Sequence, residues 1–205
     1  TPLYSSAASD VYKRQREICH LRKAIPDWLE EMDNGLTDRL RRLLHGVWQD
    51  LLILDQRIKA LDQEIELLAA NDPVAKRLQQ LRGVGPMIAT ALLATVGDAS
   101  QFDNGRQMAA SLGLTPRQMS SGGKSKLLGI SKRGDSYLRS LLVHGARSMI
   151  QIAKGKDDHL SLWVMRIVNN RHPNIAAVAM ANKTVRIAWA MITKGLDYKA
   201  ELASA

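Results

Sequence analysis

Residues 120–123 read Ser-Ser-Gly-Gly, and Lys124 and Lys126 follow at once. Attack on a phosphodiester needs a small hydroxyl nucleophile, room for an anionic group near the backbone, and positive charge to stabilise the crowded phosphorus. Gly122 and Gly123 leave a neighbouring hydroxyl unshielded, and the two lysines supply the charge. The surroundings agree in sign. Between Arg106 and Arg147 stand Arg106, Arg117, Lys124, Lys126, Lys132, Arg133, Arg139 and Arg147 against Asp135 alone, so this stretch holds +7 of a formal net charge of +9. Such a concentration is the footprint of a polyanion partner, with nucleic acid the first candidate. The plainer reading is a solvated basic face, and a Ser-Gly-Gly segment is also ordinary punctuation between two helices.

A serine hydroxyl is a poor nucleophile near neutral pH and needs a base or a metal. The basic segment offers only Asp135 and His144. Asp135 reads as the cap of a helix beginning near Ser136, with Tyr137, Leu138, Leu141 and Leu142 on or beside its packed face. His144 reads as an ordinary helix residue. The five histidines (His20, His45, His144, His159, His172) show no zinc-ligand spacing, and Asp50, Asp55, Asp62, Glu64 and Glu66 read as helix surface. The chain is therefore expected to hold no metal of its own.

Composition says which elements must carry these residues. Of 205 residues 45% are hydrophobic but only 4% aromatic, and Ala, Leu, Met, Arg, Lys and Gln dominate, which predicts an all-α fold. The single cysteine, Cys19, excludes an internal disulfide framework. No apolar run approaches the roughly 20 residues of a membrane span and no signal peptide is evident, so no membrane partner and a cytoplasmic location are expected. Residues 1–15, TPLYSSAASDVYKRQ, lack periodicity and resemble translated adapter sequence rather than native protein; an ordinary disordered tail is the alternative. On the first reading, native sequence begins near Arg16, what preceded it has been lost, and residues 16–36 are a linker remnant.

From Leu40 to Leu68 apolar residues recur in 4-3 alternation at Leu40, Leu44, Val47, Leu51, Leu54, Ile58, Leu61, Ile65 and Leu68. This heptad seam predicts a coiled-coil helix over residues 37–72, closed by Asn71-Asp72-Pro73. A narrow stripe needs a partner, and dimerisation through residues 40–68 is preferred over a neighbour in the same chain. Next, LRGVGPMIATALLATVGD has the form of a helix-hairpin-helix: Gly83 and Gly85 permit a tight turn, Pro86 suits a first helical turn, and Ile88, Ala91, Leu92 and Thr95 share a face. Backbone N–H groups at such a helix start can hold a phosphate without reading sequence, though a Gly-x-Gly turn also serves as plain packing. A helix is expected over residues 135–154, where Arg139 and Arg147 could follow a phosphate backbone. Another is expected over residues 174–194, with Asn174 as cap and Gly195 as stop. Trp163 and Trp189 read as core anchors; Lys183 and Arg186 are equally compatible with a nucleic-acid face or a solvated stripe.

Taken in order, LRGVGPMIATALLATVGD, the turn Phe102-Asp103-Asn104-Gly105, AASLGLTPRQMSSGG, GISKRGDSYLRSLL and NIAAVAMANKTVRIAWAMI resemble the C-terminal domain of transposases of the insertion-sequence 110/116/902 family, over about Leu78 to Gly195. The preceding coiled coil resembles that family's connecting helix. The resemblance implies a catalytic serine immediately before the Gly-Gly, Ser121, with Ser120 as fallback. Nucleic-acid contacts are expected at Gly83, Gly85, Gly122, Gly123, Lys124, Lys126, Lys132, Arg133 and Arg139, from the glycine turns and the basic stretch themselves. The resemblance further implies donor and target DNA, a guide RNA, and Mg²⁺ held by four acids of a RuvC-like N-terminal domain that residues 16–205 do not contain. A fragment lacking that domain is expected to be inactive alone, with residues 73–205 forming the DNA-binding and catalytic-serine domain. Two competing readings remain at this point: a non-enzymatic helix-hairpin-helix DNA- or RNA-binding protein, and a dimeric helical scaffold with a solubilising basic patch.

Overall fold

The computed structural model describes residues 20–31, 34–121 and 124–198. The expected adapter tail, Cys19 and the Gly122-Gly123 pair lie outside them. The chain falls into two compact units divided after Leu61.

In the first unit residues 20–30 form helix α1, inside the stretch expected to be linker, and α2 begins at Asp38. Arg41 fastens the chain reversal between them, its Nη1 donating to the carbonyls of Trp28 (3.0 Å) and Leu29 (2.7 Å) and its Nη2 to Asn34 Oδ1 (3.0 Å). An exposed ion pair, Arg22 to Asp55 at 2.6 Å, adds little in water. Helix α2 runs unbroken from Asp38 to Asn71, and along it the seam residues Leu40, Val47, Leu54, Ile58, Leu61 and Leu68 are all exposed.

The second unit holds the core. Asp72 closes α2 and opens α3 (Pro73–Leu78), its carboxylate accepting from the N–H groups of Val74 and Ala75. There follow α4 (Pro86–Val96), α5 (Gly105–Ser111), strands β1 (Pro116–Ser121) and β2 (Lys124–Ile130), α6 (Ser136–Ala153), α7 (His159–Asn170) and α8 (Pro173–Lys194). Helix α8 is the hub, packing against α3, α5, α6 and α7. Ala176, Ala177, Ala181 and Ala188 keep it slim, and with Met180, Thr184, Val185 and Met191 they give it eight buried residues. By length and mean hydropathy it could span a membrane, but this burial marks it as a core helix. Leu78, Leu92, Met108, Leu138, Met149 and Val164 of the other helices are fully buried in the same core, each worth about 1.5–3 kcal/mol of apolar burial.

The predominantly helical expectation holds, with one element it did not contain. Pro116–Ser121 and Lys124–Ile130 form an antiparallel two-stranded ribbon rather than part of a helix-to-helix loop. Ile130 is its only β-branched residue, so the composition that signalled helix elsewhere was silent here. Two helix details also differ from expectation. Asn174 does not cap α8: Pro173, which needs no N–H partner, takes the first position, and His172 Nδ1 accepts the N–H of Asn174 at 3.2 Å. The packed face of α4 is Ala89, Leu92 and Val96, with Thr95 exposed. Asp135 caps α6 as expected, accepting from Tyr137 and Leu138 N–H at 2.7 and 3.0 Å, and Gly195 ends α8 in the left-handed region.

Candidate functional site

The ribbon that carries the Ser-Ser-Gly-Gly stretch rises from an interlocked foot. Ser131 N–H donates to Thr115 O (2.8 Å) and Lys132 N–H to Gly113 O (3.2 Å). Gly113 has φ +70° and Gly134 φ +81°; a Cβ on the first would stand 2.2 Å from Arg133 O, and on the second 1.9 Å from Ser111 O. The segments 111–115 and 131–134 thus meet backbone to backbone, at a distance only glycine allows. Arg139 closes the joint, its Nη1 donating to Leu112 O and Arg133 O, each at 3.1 Å. The expected phosphate contact at Arg139 is in this structure a strut beneath the ribbon. Lys132 and Arg133 are exposed beside it.

Along the ribbon the register shifts between Pro116 and Gln118, with Leu128 and Gly129 opposing Arg117. Such a bulge bends a strand pair and adds twist. Beyond it Met119 stands opposite Lys126, Ser120 opposite Ser125 and Ser121 opposite Lys124. The backbone therefore brings both serines and both lysines into the last rungs of one ribbon. The side chains of Ser120, Ser121, Lys124 and Lys126 lie outside the described ones, as do Gly122 and Gly123.

The Asp135 carboxylate is committed to two backbone N–H groups of α6, and His144 is exposed on that helix. Among the described residues no group of three or more His, Cys, Asp or Glu side chains comes together, so these residues do not fit a resident divalent ion.

The two glycines before α4 differ. Gly83 has φ +83°, and a Cβ there would lie 2.3 Å from Gly145 O; a Cβ on Gly145 would lie 2.1 Å from Gly83 O. This mutual contact seats the turn on α6. Gly85, by contrast, has no atom within 4 Å of its notional Cβ and starts α4 without a side-chain cap. Of the pair, Gly85 is the one whose surroundings suit an incoming phosphate.

Sequence reasoning missed a hollow of about 1010 Å³ at the foot of the ribbon, where Pro116 and Ile130 meet α7 and α8. Trp163 and Trp189, both expected to be core anchors, are half-buried and pack against the core. Trp163 also borders the hollow, with Lys183 Nζ 4.7 Å from its ring centroid, and Trp189 Nε1 donates to Ala99 O and Phe102 O at 3.2 Å. The available signal was Lys183 and Arg186 one turn apart on an otherwise alanine-rich helix.

Residues 75–160 match the family model described as Transposase IS116/IS110/IS902 family. The chain is 43% identical over 165 residues to the transposase for insertion sequence element IS1111A of Coxiella burnetii, covering 80% of this chain and 45% of that protein. It is 44% identical over 157 residues to a probable family 20 transposase of Pseudomonas aeruginosa, covering 77% and 46%. It is 40% identical over 163 residues to the transposase for insertion sequence element IS1328 of Yersinia enterocolitica, covering 80% and 49%. The chain thus spans about half the length of these relatives.

Proposed function

We propose that this chain, whose residues 75–160 match the IS116/IS110/IS902 family of transposases, belongs to that family, and that the whole protein moves an insertion sequence by serine attack on DNA, with Ser121 as nucleophile. The observation that supports this reading best is the ribbon register, which puts Ser121 opposite Lys124 at the far end of a stalk clamped at its foot. A reacting group on a braced two-stranded stalk can reach a phosphodiester while its base stays fixed.

In the proposed step Ser121 Oγ gives up its proton and bonds to phosphorus. One P–O bond to deoxyribose breaks, and the departing oxygen takes up a proton. A hydroxyl from the exchanged strand then attacks the phosphoserine, breaks the Oγ–P bond and restores the serine. Lys124 and Lys126 offset charge on the phosphoryl oxygens, and the basic stretch from Arg106 to Arg147 attracts the backbone. The resemblance ascribes Mg²⁺ to acids of an N-terminal domain. The described residues do not fit that ion, and no step here is routed through it. Activity is proposed for the whole protein and not for residues 16–205 alone, with a guide RNA and a cytoplasmic location as further parts of the reading.

Pairing of two α2 seams is the proposed route to an oligomer, since a stripe exposed at Leu54, Ile58 and Leu61 gains about 25 cal/mol per Å² when covered. A second reading, a non-enzymatic helix-hairpin-helix binder, draws on the open start of α4 at Gly85. The two separate in a recombination assay on a protein of the relatives' full length, supplied with its guide RNA. Ser121→Ala should reduce recombination by at least about 10⁴-fold while DNA affinity stays within about twofold. Undiminished recombination would sink the nucleophile assignment and leave the binder reading in place.

A further inference from the structure

The hollow at the foot of the ribbon has a chemistry that the serine reading does not use. Its volume, about 1010 Å³, is at the upper end of small-molecule sites. The floor is apolar, formed by Leu114, Val178 and Ala179 with the exposed Ile175 beside them, while Arg106, Lys183 and Arg186 line the same space. No carboxylate is among the lining residues, and none of the three cations joins an ion pair among the described residues. Burial, and then the neighbouring charge of Arg186, push the Lys183 ammonium below the usual lysine range. Like charges gathered without a counter-charge repel one another, and a bound anion would relieve that repulsion.

We propose that this hollow takes one unpaired nucleotide of a nucleic-acid strand, with its base on the apolar floor beside Trp163 and its phosphate against Arg106, Lys183 and Arg186. A nucleotide combines what the hollow asks for: a flat, largely apolar body and an anionic group one sugar away. A base inside a duplex keeps its faces stacked and its edge paired, so only an extruded or single-stranded one can descend past the rim. The location adds a reason. Pro116 lines the hollow and Ser121 ends the same strand five residues on, about 17 Å at the rise of a β-strand. A nucleotide held at the foot would anchor a strand lying along the ribbon toward its tip. The proposal rests on the nucleic-acid part of the proposed function but is independent of which serine reacts.

The test is fluorescence anisotropy of the 205-residue chain with two labelled DNA duplexes, identical except that one carries a single bulged thymidine. The same pair in RNA decides which nucleic acid supplies the nucleotide. The bulged probe should bind about tenfold more tightly, within the range of one base–aromatic contact. Val178→Trp and Ala179→Phe, which fill the floor, should each bring the ratio to about one while affinity for the paired probe stays within about twofold. Two filling variants are used so that one with an intact melting transition carries the test. Equal binding of bulged and paired probes by the unaltered chain overturns the hollow's assignment but leaves nucleic-acid binding standing; this is also the outcome if the hollow serves an acidic protein segment. A preference that survives filling overturns the location. No binding to any probe overturns both the hollow and the nucleic-acid reading.

Discussion

Helices α2 and α8 are both long and both rich in aliphatic side chains, yet their apolar residues meet opposite fates. Of the 34 residues of α2 only Ala69 is buried, whereas the 22 residues of α8 bury eight. The difference lies in spacing and size. Helix α2 sets Leu, Ile and Val on a stripe of 4-3 spacing, narrow enough to be covered by one partner helix and little else. Helix α8 spreads Ala and Met around a broader face, and small residues let α5, α6 and α7 come close on several sides. One helix lies within the core; the other leaves most of its apolar stripe exposed.

The sharpest way to break the comparison is to place the same change in both helices. Val185→Asp puts an unpaired charge at a fully buried position and should cost more than about 4 kcal/mol, enough to remove the cooperative melting transition. Leu54→Asp on the exposed stripe should leave that transition within about 0.5 kcal/mol while weakening self-association by at least tenfold in sedimentation equilibrium. Were both variants to unfold, α2 would be part of the core after all.

A smaller contrast separates the glycines before α4. Gly83→Ala forces a side chain into a left-handed conformation and against Gly145 O, and should cost about 3 kcal/mol or more by chemical denaturation. Gly85→Ala meets open space and should cost about 1 kcal/mol or less. If DNA affinity falls with Gly85→Ala although stability does not, the phosphate role of that turn is separated from its packing role.

The smallest expected effect concerns ion pairs. Arg82 Nη1 reaches Asp158 Oδ1 at 2.8 Å, and Ser161 donates its hydroxyl and N–H to the same carboxylate. Burial alone would raise the Asp158 pKa, but these hydrogen bonds and the Arg82 charge outweigh it and hold the carboxyl below its ordinary value. A carboxyl depressed in the folded state contributes stability that is present above its unfolded pKa, about 3.9, and is lost as pH falls through the folded one. Asp158→Asn should therefore destabilise near pH 7 by about 1–2 kcal/mol and flatten the acid limb of stability below about pH 4. Asp55→Asn, which removes the exposed pair with Arg22, should change stability by less than about 0.5 kcal/mol.

What was legible in the sequence follows the same division between local and non-local causes. Asp135, Gly195 and the Asn71-Asp72-Pro73 break announced helix ends because caps and breakers act within a turn of their own position. The α2 seam was legible because a repeat needs no tertiary context. The ribbon was not, since its strands lack alternation, carry one β-branched residue, Ile130, and depend on the clasp between segments 111–115 and 131–134. The bracing role of Arg139 was not legible because nothing in sequence links it to Leu112 O, and the hollow escaped because Arg106 and Arg186 meet only once the helices pack. Ser121 was singled out by resemblance, and the ribbon supplies its physical setting.

The central claim is that Ser121 bonds to phosphorus. Incubating a protein of the relatives' full length with guide RNA and labelled donor DNA, quenching in denaturant, and mapping any DNA-linked peptide by mass spectrometry tests it most directly. The account predicts a phosphodiester link on Ser121, absent in Ser121→Ala and retained in Ser120→Ala. A link on Ser120, or recombination with no covalent intermediate at all, would contradict it.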